Sequence, residues 1–277
     1  MKFILKNDIV LPKRNKSSHK GDNGRLLIIG GSRDYVGAVA LAGLAALRSG
    51  CDWVTIAAPE KVGYAINAIS PDLVVKKYRG DDFCASRAKD ILKFEKENRF
   101  DAVLIGSGIG MHAKTFVKKF VKDYCNKKPN KPLVIDADAL KHIKLQDLRH
   151  KNAVLTPHQK EFEILLKNSK LDKEVFRKHI NNNIILIKGP VDQIISKNKT
   201  FYNKTGNPGM TKAGTGDVLA GICAGFVAQG LSLQQSAINA AFINGIIGDR
   251  LLKDRKGAYS FIASDIIGDI GKILERI

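Results

Sequence analysis

The sequence predicts an α/β fold, a mostly parallel sheet covered by helices on both faces. Three observations carry this. Short, continuously apolar runs alternate with longer segments of helical period, the pattern of strands buried on both faces. The unusual polar clusters fall at the carboxyl ends of those runs. No proline- or serine-rich linker and no internal repeat interrupts the 277 residues, so one domain is expected over 1–277.

Taken in order, "RLLIIGG" from Arg25 to Gly31 reads as a buried strand. "AVALAGLAALRSG" reads as a helix of small residues stopped at Gly50. "WVTIAAP" is the next strand, broken by Pro59, and "LVVKKY" another. "DAVLIGSGIG" is a strand entering a glycine turn, followed by an amphipathic segment from Met111 to Cys125. "PLVIDADAL", "NAVLTPH" and "NIILIKG" repeat one design, about four apolar residues closing on a polar cluster. "QIIS" and "TFYN", separated by "KNK", read as a hairpin. Helices follow over Gly214–Gln229, Ser232–Leu252 and Ser264–Ile273. The clusters "GGS", "GSGIG", "DAD", "TPH" and "KG" therefore all face one edge of the sheet, where sites of such folds form.

Composition narrows the function classes. The chain is 44% hydrophobic and 26% charged, as ordinary globular proteins are, and its apolar stretches fall short of the ~20 residues of a membrane span. The opening residues have neither the apolar length nor the small-residue cleavage site of a signal peptide, so a cytoplasmic protein without membrane partners is expected. Cys51, Cys84, Cys125 and Cys223 lack metal-ligand spacing and read as buried thiols. The net charge of +19 raises nucleic-acid binding as a reading. However, the lysines of "KDILKFEKENR", "KTFVKKFVKDYCNKKPNK" and "KLDKEVFRKH" are spaced as on solvated helix faces, and aromatics for base stacking are few. A basic surface that attracts phosphorylated small molecules is the better reading, with no nucleic-acid partner.

The most chemical stretch is "GNPGMTKAGTGDVLAG". Ala213, Gly214, Thr215 and Gly216 are placed to turn so that backbone N–H groups converge at a helix start, a nest for phosphate or a transferring phosphoryl group. Asp217 follows in the first turn. It is either an acid that complements the helix dipole or a base that deprotonates a hydroxyl attacking that phosphoryl group, and spacing alone leaves both open. No G-K-[ST] follows the glycines and "GSGIG" is not a dinucleotide fingerprint, which disfavours a nicotinamide redox enzyme.

With these residues in view, the chain resembles the ribokinase-like superfamily, whose members carry "GTGD" or "GAGD" with a catalytic aspartate. More closely it resembles the NAD(P)H-hydrate dehydratase family. The resemblance rests on "HKGDNGRLLIIGGS", "GAVALAGLAALRSG", "GSGIG", "VIDADAL", "LTPHQKEFEIL", "ILIKG" and "GNPGMTKAGTGDVLAGICAGFVAQG", in family order over nearly the whole chain. It implies a three-layer αβα fold and dehydration of the S form of NADHX or NADPHX, hydrated at C6 of the nicotinamide ring, driven by ADP or ATP. By the same resemblance Asp217 is the base, and Gly214, Thr215 and Gly216 the anion hole. Ala38, Gly108 and His158 join Asp217 at the hydrate. Lys188, Gly189, Pro190, Val191, Asp192 and Gly216 bind nucleotide, with Asn207 orienting the ring.

The resemblance further implies magnesium with the nucleotide, a preference for ADP, and a homotetramer. The family's epimerase domain normally precedes this one, and "SHKG" at Ser18 leaves no room for it, so a stand-alone dehydratase with an epimerase encoded elsewhere is expected. The sequence departs from the family at Gln159, Lys160 and Glu161, which stand for Pro-Gly-Glu after "TPH". A changed turn is expected there, which puts a role for Glu161 at the metal in question, and the metal ligands stay open. The rival reading is an ATP-dependent kinase of the same fold, of hydroxyethylthiazole or pyridoxal type, which would stop at the phosphate ester.

Overall fold

The computed structural model describes residues 1–128, 130–149 and 151–277. Along the chain its elements are β1 (Lys2–Phe3), β2 (Arg25–Ile29), α1 (Val36–Arg48), β3 (Trp53–Pro59), α2 (Glu60–Ile69), β4 (Val74–Tyr78), α3 (Arg87–Asn98), β5 (Ala102–Ile105), α4 (Lys114–Lys127), β6 (Leu133–Ile135), α5 (Ala137–Leu140), β7 (Ala153–Leu155), α6 (Gln159–Ser169), β8 (Ile184–Ile187), β9 (Asp192–Ile195), β10 (Thr200–Asn203), α7 (Thr215–Ala228), α8 (Leu233–Asp254) and α9 (Ala263–Leu274).

The ten strands form one sheet in the order β1-β10-β9-β8-β7-β6-β5-β2-β3-β4. Only β9 runs against its neighbours, β8 and β10. The chain winds outward from β2 to β3 and β4, then returns to β5 on the other side of β2 and continues to β8. The strand order thus reverses between β2 and β5, which opens a crevice beyond their carboxyl ends.

Strand alternation divides the core into two layers, as the apolar runs require. Leu26 and Ile28 of β2 join Leu104, Val134 and Val154 against α1, α2, α7, α8 and α9. Leu27 and Ile29 join Val103, Ile105 and Ile135 against α3, α4, α5 and α6. The amphipathic α4 shows how the charge is carried. Phe116, Val117, Phe120, Val121 and Tyr124 are buried, while Lys114, Lys118 and Lys122 lie on the exposed face.

The small residues of α1 and α7 have a packing reason. A β-carbon on Gly221 would stand 2.2 Å from the Ala42 carbonyl oxygen, so the two helices touch backbone to backbone. This close approach fixes α7, and with it the aspartate in its first turn.

Two expectations need correction. The segment "KLDKEVFRKH" is not an α-helical face; it holds only a 3-10 turn at Phe176–His179. Cys84 is exposed, unlike the other three cysteines. β3 ends at Pro59 as the sequence reads, and α2 begins directly after it, since a proline that lacks an N–H is harmless just before a first helical turn. Among the described residues no helix is long and apolar enough to cross a membrane.

Candidate active site

The five polar clusters meet at the carboxyl edge of the sheet. At the β2/β5 crevice the two loops are locked together: the Gly31 N–H donates to the Ser107 carbonyl at 2.9 Å. Any side chain on Gly30 would meet that same oxygen at 2.2 Å. Gly108 has φ of +61° and faces Ala38, whose β-carbon would lie 2.9 Å from a β-carbon at 108. Ala38 and Gly108 therefore form one wall of the crevice, and small residues are needed for the loops to approach this closely.

The start of α7 lies at the same edge, where Asp217 neighbours Ser107. Gly214 takes φ of +93°, and a side chain there would press on Leu41 and Ala263. The Thr215 hydroxyl turns inward, toward the carbonyls of Met210 at 2.7 Å and Lys212 at 2.9 Å, to which it donates. Thr215 is thus a brace for the turn, and what the turn offers an anion is its backbone and the positive end of α7. Asp217 sits one residue beyond Gly216. Burial and the neighbouring Asp136 carboxylate push its pKa up to about 7, against the pull of Ser107 and Lys188. Ser107 itself is fully buried, and its hydroxyl makes no well-formed hydrogen bond among the described residues.

At the same edge lies a charge pair that the sequence did not reveal. The Lys188 ammonium, at the end of β8, stands 2.9 Å from Asp136 Oδ1, just past β6. The Thr156 hydroxyl, just past β7, donates to the same oxygen at 2.7 Å. Asp136 is 2% exposed and Thr156 fully buried. The clue was "DAD" at a strand end, yet the pairing depends on a lysine 52 positions away.

His158 caps α6. Its Nδ1 accepts from the Glu161 N–H at 3.3 Å, and Glu161 Oε2 accepts from the His158 N–H at 3.0 Å. At the position of the expected changed turn, Gln159 and Lys160 simply begin a capped helix. Glu161 is buried as part of that cap. The His158 ring, half exposed, lies at the edge of the site.

A cavity of about 520 Å³ adjoins the α7 turn. His158, Lys188, Gly189, Pro190, Asp192, Asn207 and Gly216 all line it. Val191 is not among its lining residues and is exposed. Asp192 accepts from the Gly189 N–H and from Asn203 Nδ2, each at 3.0 Å, and its burial raises its pKa. Asn207 spends both ends of its amide inside the protein, accepting from the Gly209 N–H and donating to Asp249. It shapes the cavity wall. Ala38, Gly108 and Asp217 do not line this cavity. Gly216 and Lys188 therefore line the cavity, while Asp217, the next residue along α7, lies outside its lining.

Among the described residues no group of three or more His, Cys, Asp or Glu side chains is arranged to hold a metal ion.

A family model described as NAD(P)H-hydrate dehydratase matches residues 26–270. A bifunctional NAD(P)H-hydrate repair enzyme of Methanothermobacter thermautotrophicus is 40% identical over 99% of this chain and 54% of its own length. The chain spans about half the length of such relatives. An ADP-dependent (S)-NAD(P)H-hydrate dehydratase of Cenarchaeum symbiosum is 36% identical over 86% of this chain and 85% of its own. The structure of an ADP/ATP-dependent NAD(P)H-hydrate dehydratase from Bacillus subtilis, co-crystallised with ATP and magnesium, aligns with a TM-score of 0.79 at 26% identity, covering 96% and 94% of the two chains. A hydroxyethylthiazole kinase from Pyrococcus horikoshii, at 15% identity and a TM-score of 0.58, shares the fold alone.

Proposed function

This chain belongs to the NAD(P)H-hydrate dehydratase family, and from that premise we propose that it returns the S form of hydrated NADH or NADPH to the reduced cofactor at the expense of ADP. The observation that carries the reading is the placement of Asp217 in the first turn of α7, directly after Gly216, which lines a cavity of about 520 Å³; burial and Asp136 push its pKa up to about 7. A base poised near neutral pH beside a phosphoryl-binding turn is what hydroxyl phosphorylation needs.

In this reading the nucleotide occupies the cavity, with Lys188, Gly189, Pro190 and Asp192 along it and Val191 at its rim. The hydrate occupies the crevice against Ala38 and Gly108, with His158 at its border. Asp217 takes the proton of the C6 hydroxyl while that oxygen bonds to the terminal phosphorus and the bond from phosphorus to the nucleotide's bridging oxygen breaks. The Gly214 to Gly216 turn holds the moving phosphoryl group. Hydroxide is a poor leaving group and phosphate a good one. The ring nitrogen's lone pair then expels phosphate from C6 and a C5 proton is lost, so NADHX and ADP become NADH, AMP, phosphate and a proton. Magnesium on the nucleotide supplies charge neutralisation at the phosphates. The homologue named as ADP-dependent supports ADP as donor. Cytoplasmic location, a homotetrameric state and an NAD(P)HX epimerase as the partner activity belong to the same proposal.

The test is stoichiometric. Incubation with (S)-NADHX and ADP should yield one AMP and one inorganic phosphate per NADH. Stable transfer of phosphate to a thiazole or pyridoxal alcohol, with no NADH formed, would instead establish the kinase reading.

A further inference from the structure

We propose that Lys188 is a catalytic residue of this site, the cation that completes the anion hole through its side chain, and that Asp136 and Thr156 are the positioning residues that aim it. The proposal rests on the functional reading above and deepens it, since that reading uses Lys188 only as part of a nucleotide-binding segment.

The geometry begins with the backbone. Lys188 extends β8, and its N–H donates to the Pro157 carbonyl at 2.8 Å, which sets it beside His158. From there the side chain runs toward α7 and lies largely covered, 19% exposed, along the cavity wall. Its ammonium stands 3.3 Å from the point a β-carbon on Gly216 would occupy. The charge is therefore directly over the backbone of the turn that receives the phosphoryl group. A lysine that served only to line a nucleotide pocket would have no reason to reach this far.

Its aim is fixed on the other side. Asp136 Oδ1 takes one of the three ammonium donors at 2.9 Å. Thr156 holds the same oxygen at 2.7 Å, so the carboxylate cannot swing away. Among the described residues the ammonium makes no other hydrogen bond, which leaves donors for a ligand oxygen. Burial alone would lower the lysine pKa, but the carboxylates of Asp136, Glu161 and Asp217 outweigh it and keep the group charged.

Two consequences follow for the chemistry. Negative charge gathers on the phosphoryl oxygens and the leaving oxygen during transfer, and a fixed cation in a water-poor site stabilises it more than backbone dipoles can alone. The same cation opposes Asp136 and Glu161 at Asp217, and so favours the ionised form of a carboxylate that burial would otherwise keep protonated. The groups that bear on Asp217 are Asp136 beyond β6, Glu161 of α6, Lys188 beyond β8 and Ser107 beyond β5.

The experiment compares wild type, Lys188→Met, Asp136→Asn and the double variant. First, binding of inorganic phosphate in the presence of AMP is measured by titration calorimetry, which needs no turnover. At least a tenfold weakening in Lys188→Met is expected; equal affinity overturns the proposal. Second, the pH dependence of kcat/KM is compared. The acid limb should move to higher pH in Lys188→Met and to lower pH in Asp136→Asn, with kcat of Lys188→Met lowered about 10²-fold or more. Unmoved limbs contradict the proposal. Third, the double variant guards against a folding effect, because it removes both members of the buried pair. Its Tm should recover toward wild type while its phosphate affinity and rate do not. Recovery of rate along with Tm would show Lys188 to be structural only. If wild type binds phosphate through Lys188 yet forms no NADH, the functional reading fails while the assignment of Lys188 stands.

Discussion

The carbonyl oxygen of Asp136 lies 1.9 Å from the point where a β-carbon on Gly106 would stand. Gly106 also takes φ of +127°, a conformation that side chains rarely adopt. The glycine after β5 and the aspartate after β6 thus occupy one space, and Asp136 can reach Lys188 only because residue 106 has no side chain. Gly106→Ala should cost roughly 3 kcal/mol or more through strain and displacement of the Asp136 backbone. Thermal denaturation should register a fall in Tm of about 10 °C. A fall of less than a degree or two would mean that the loops separate freely.

The proposed role of Asp217 as the base sets the pH dependence of catalysis. A general base with a pKa of about 7 is lost as pH falls through that value. The rate constant kcat/KM should therefore decrease about tenfold per pH unit below neutrality, with half its limiting value near pH 7. A profile flat well into the acid range would place the base elsewhere.

The same carboxylate should weaken the fold. Its folded pKa of about 7 lies above the ordinary 3.8, so between those values the native state binds the proton more tightly than the unfolded chain. The stability tied to this proton is present below pH 3.8 and is lost as pH rises toward 7. Asp217→Asn should accordingly stabilise the protein by roughly 1–3 kcal/mol at about pH 8 and by little at about pH 4. Urea denaturation of both proteins at the two pH values checks this; equal stability under the alkaline condition would show the carboxylate to be well solvated.

A second buried group reverses the sign. Lys151 is 1% exposed, lies 4.1 Å from the Tyr124 ring centroid, and has its pKa lowered by burial from 10.5 to about 8. Here the unfolded chain holds the proton more tightly. Stability should rise between about pH 8 and 10.5 by up to about 3 kcal/mol from this group. In Lys151→Met that rise should be reduced, as denaturant titrations across the same window would reveal.

Much of this architecture was legible in the chain. Runs such as "RLLIIGG" and "NIILIKG" declare themselves because a strand covered on both faces has no polar position to lose. Asp217 could be found because glycines and one acid at a helix start are few and local. What stayed hidden depends on distant partners. Asp136 and Thr156 gain their roles only when three strands bring them to Lys188, and β1 exists only because Lys2 and Phe3 pair with Phe201 and Tyr202 of β10, far along the chain. The bracing of the α7 turn was likewise out of view, because the Thr215 hydroxyl turns to the carbonyls of Met210 and Lys212, contacts that the spacing of the glycines does not announce.

The most direct measurement is the near-ultraviolet absorbance of the dihydronicotinamide, followed on mixing (S)-NADHX and ADP with wild type or with Asp217→Asn. Wild type should regenerate NADH in proportion to ADP, and the variant should do so at least about 10²-fold more slowly, with AMP affinity little changed. Equal rates in the two proteins, or no NADH from wild type, would contradict the central claim that Asp217 drives a phosphorylation-dependent dehydration.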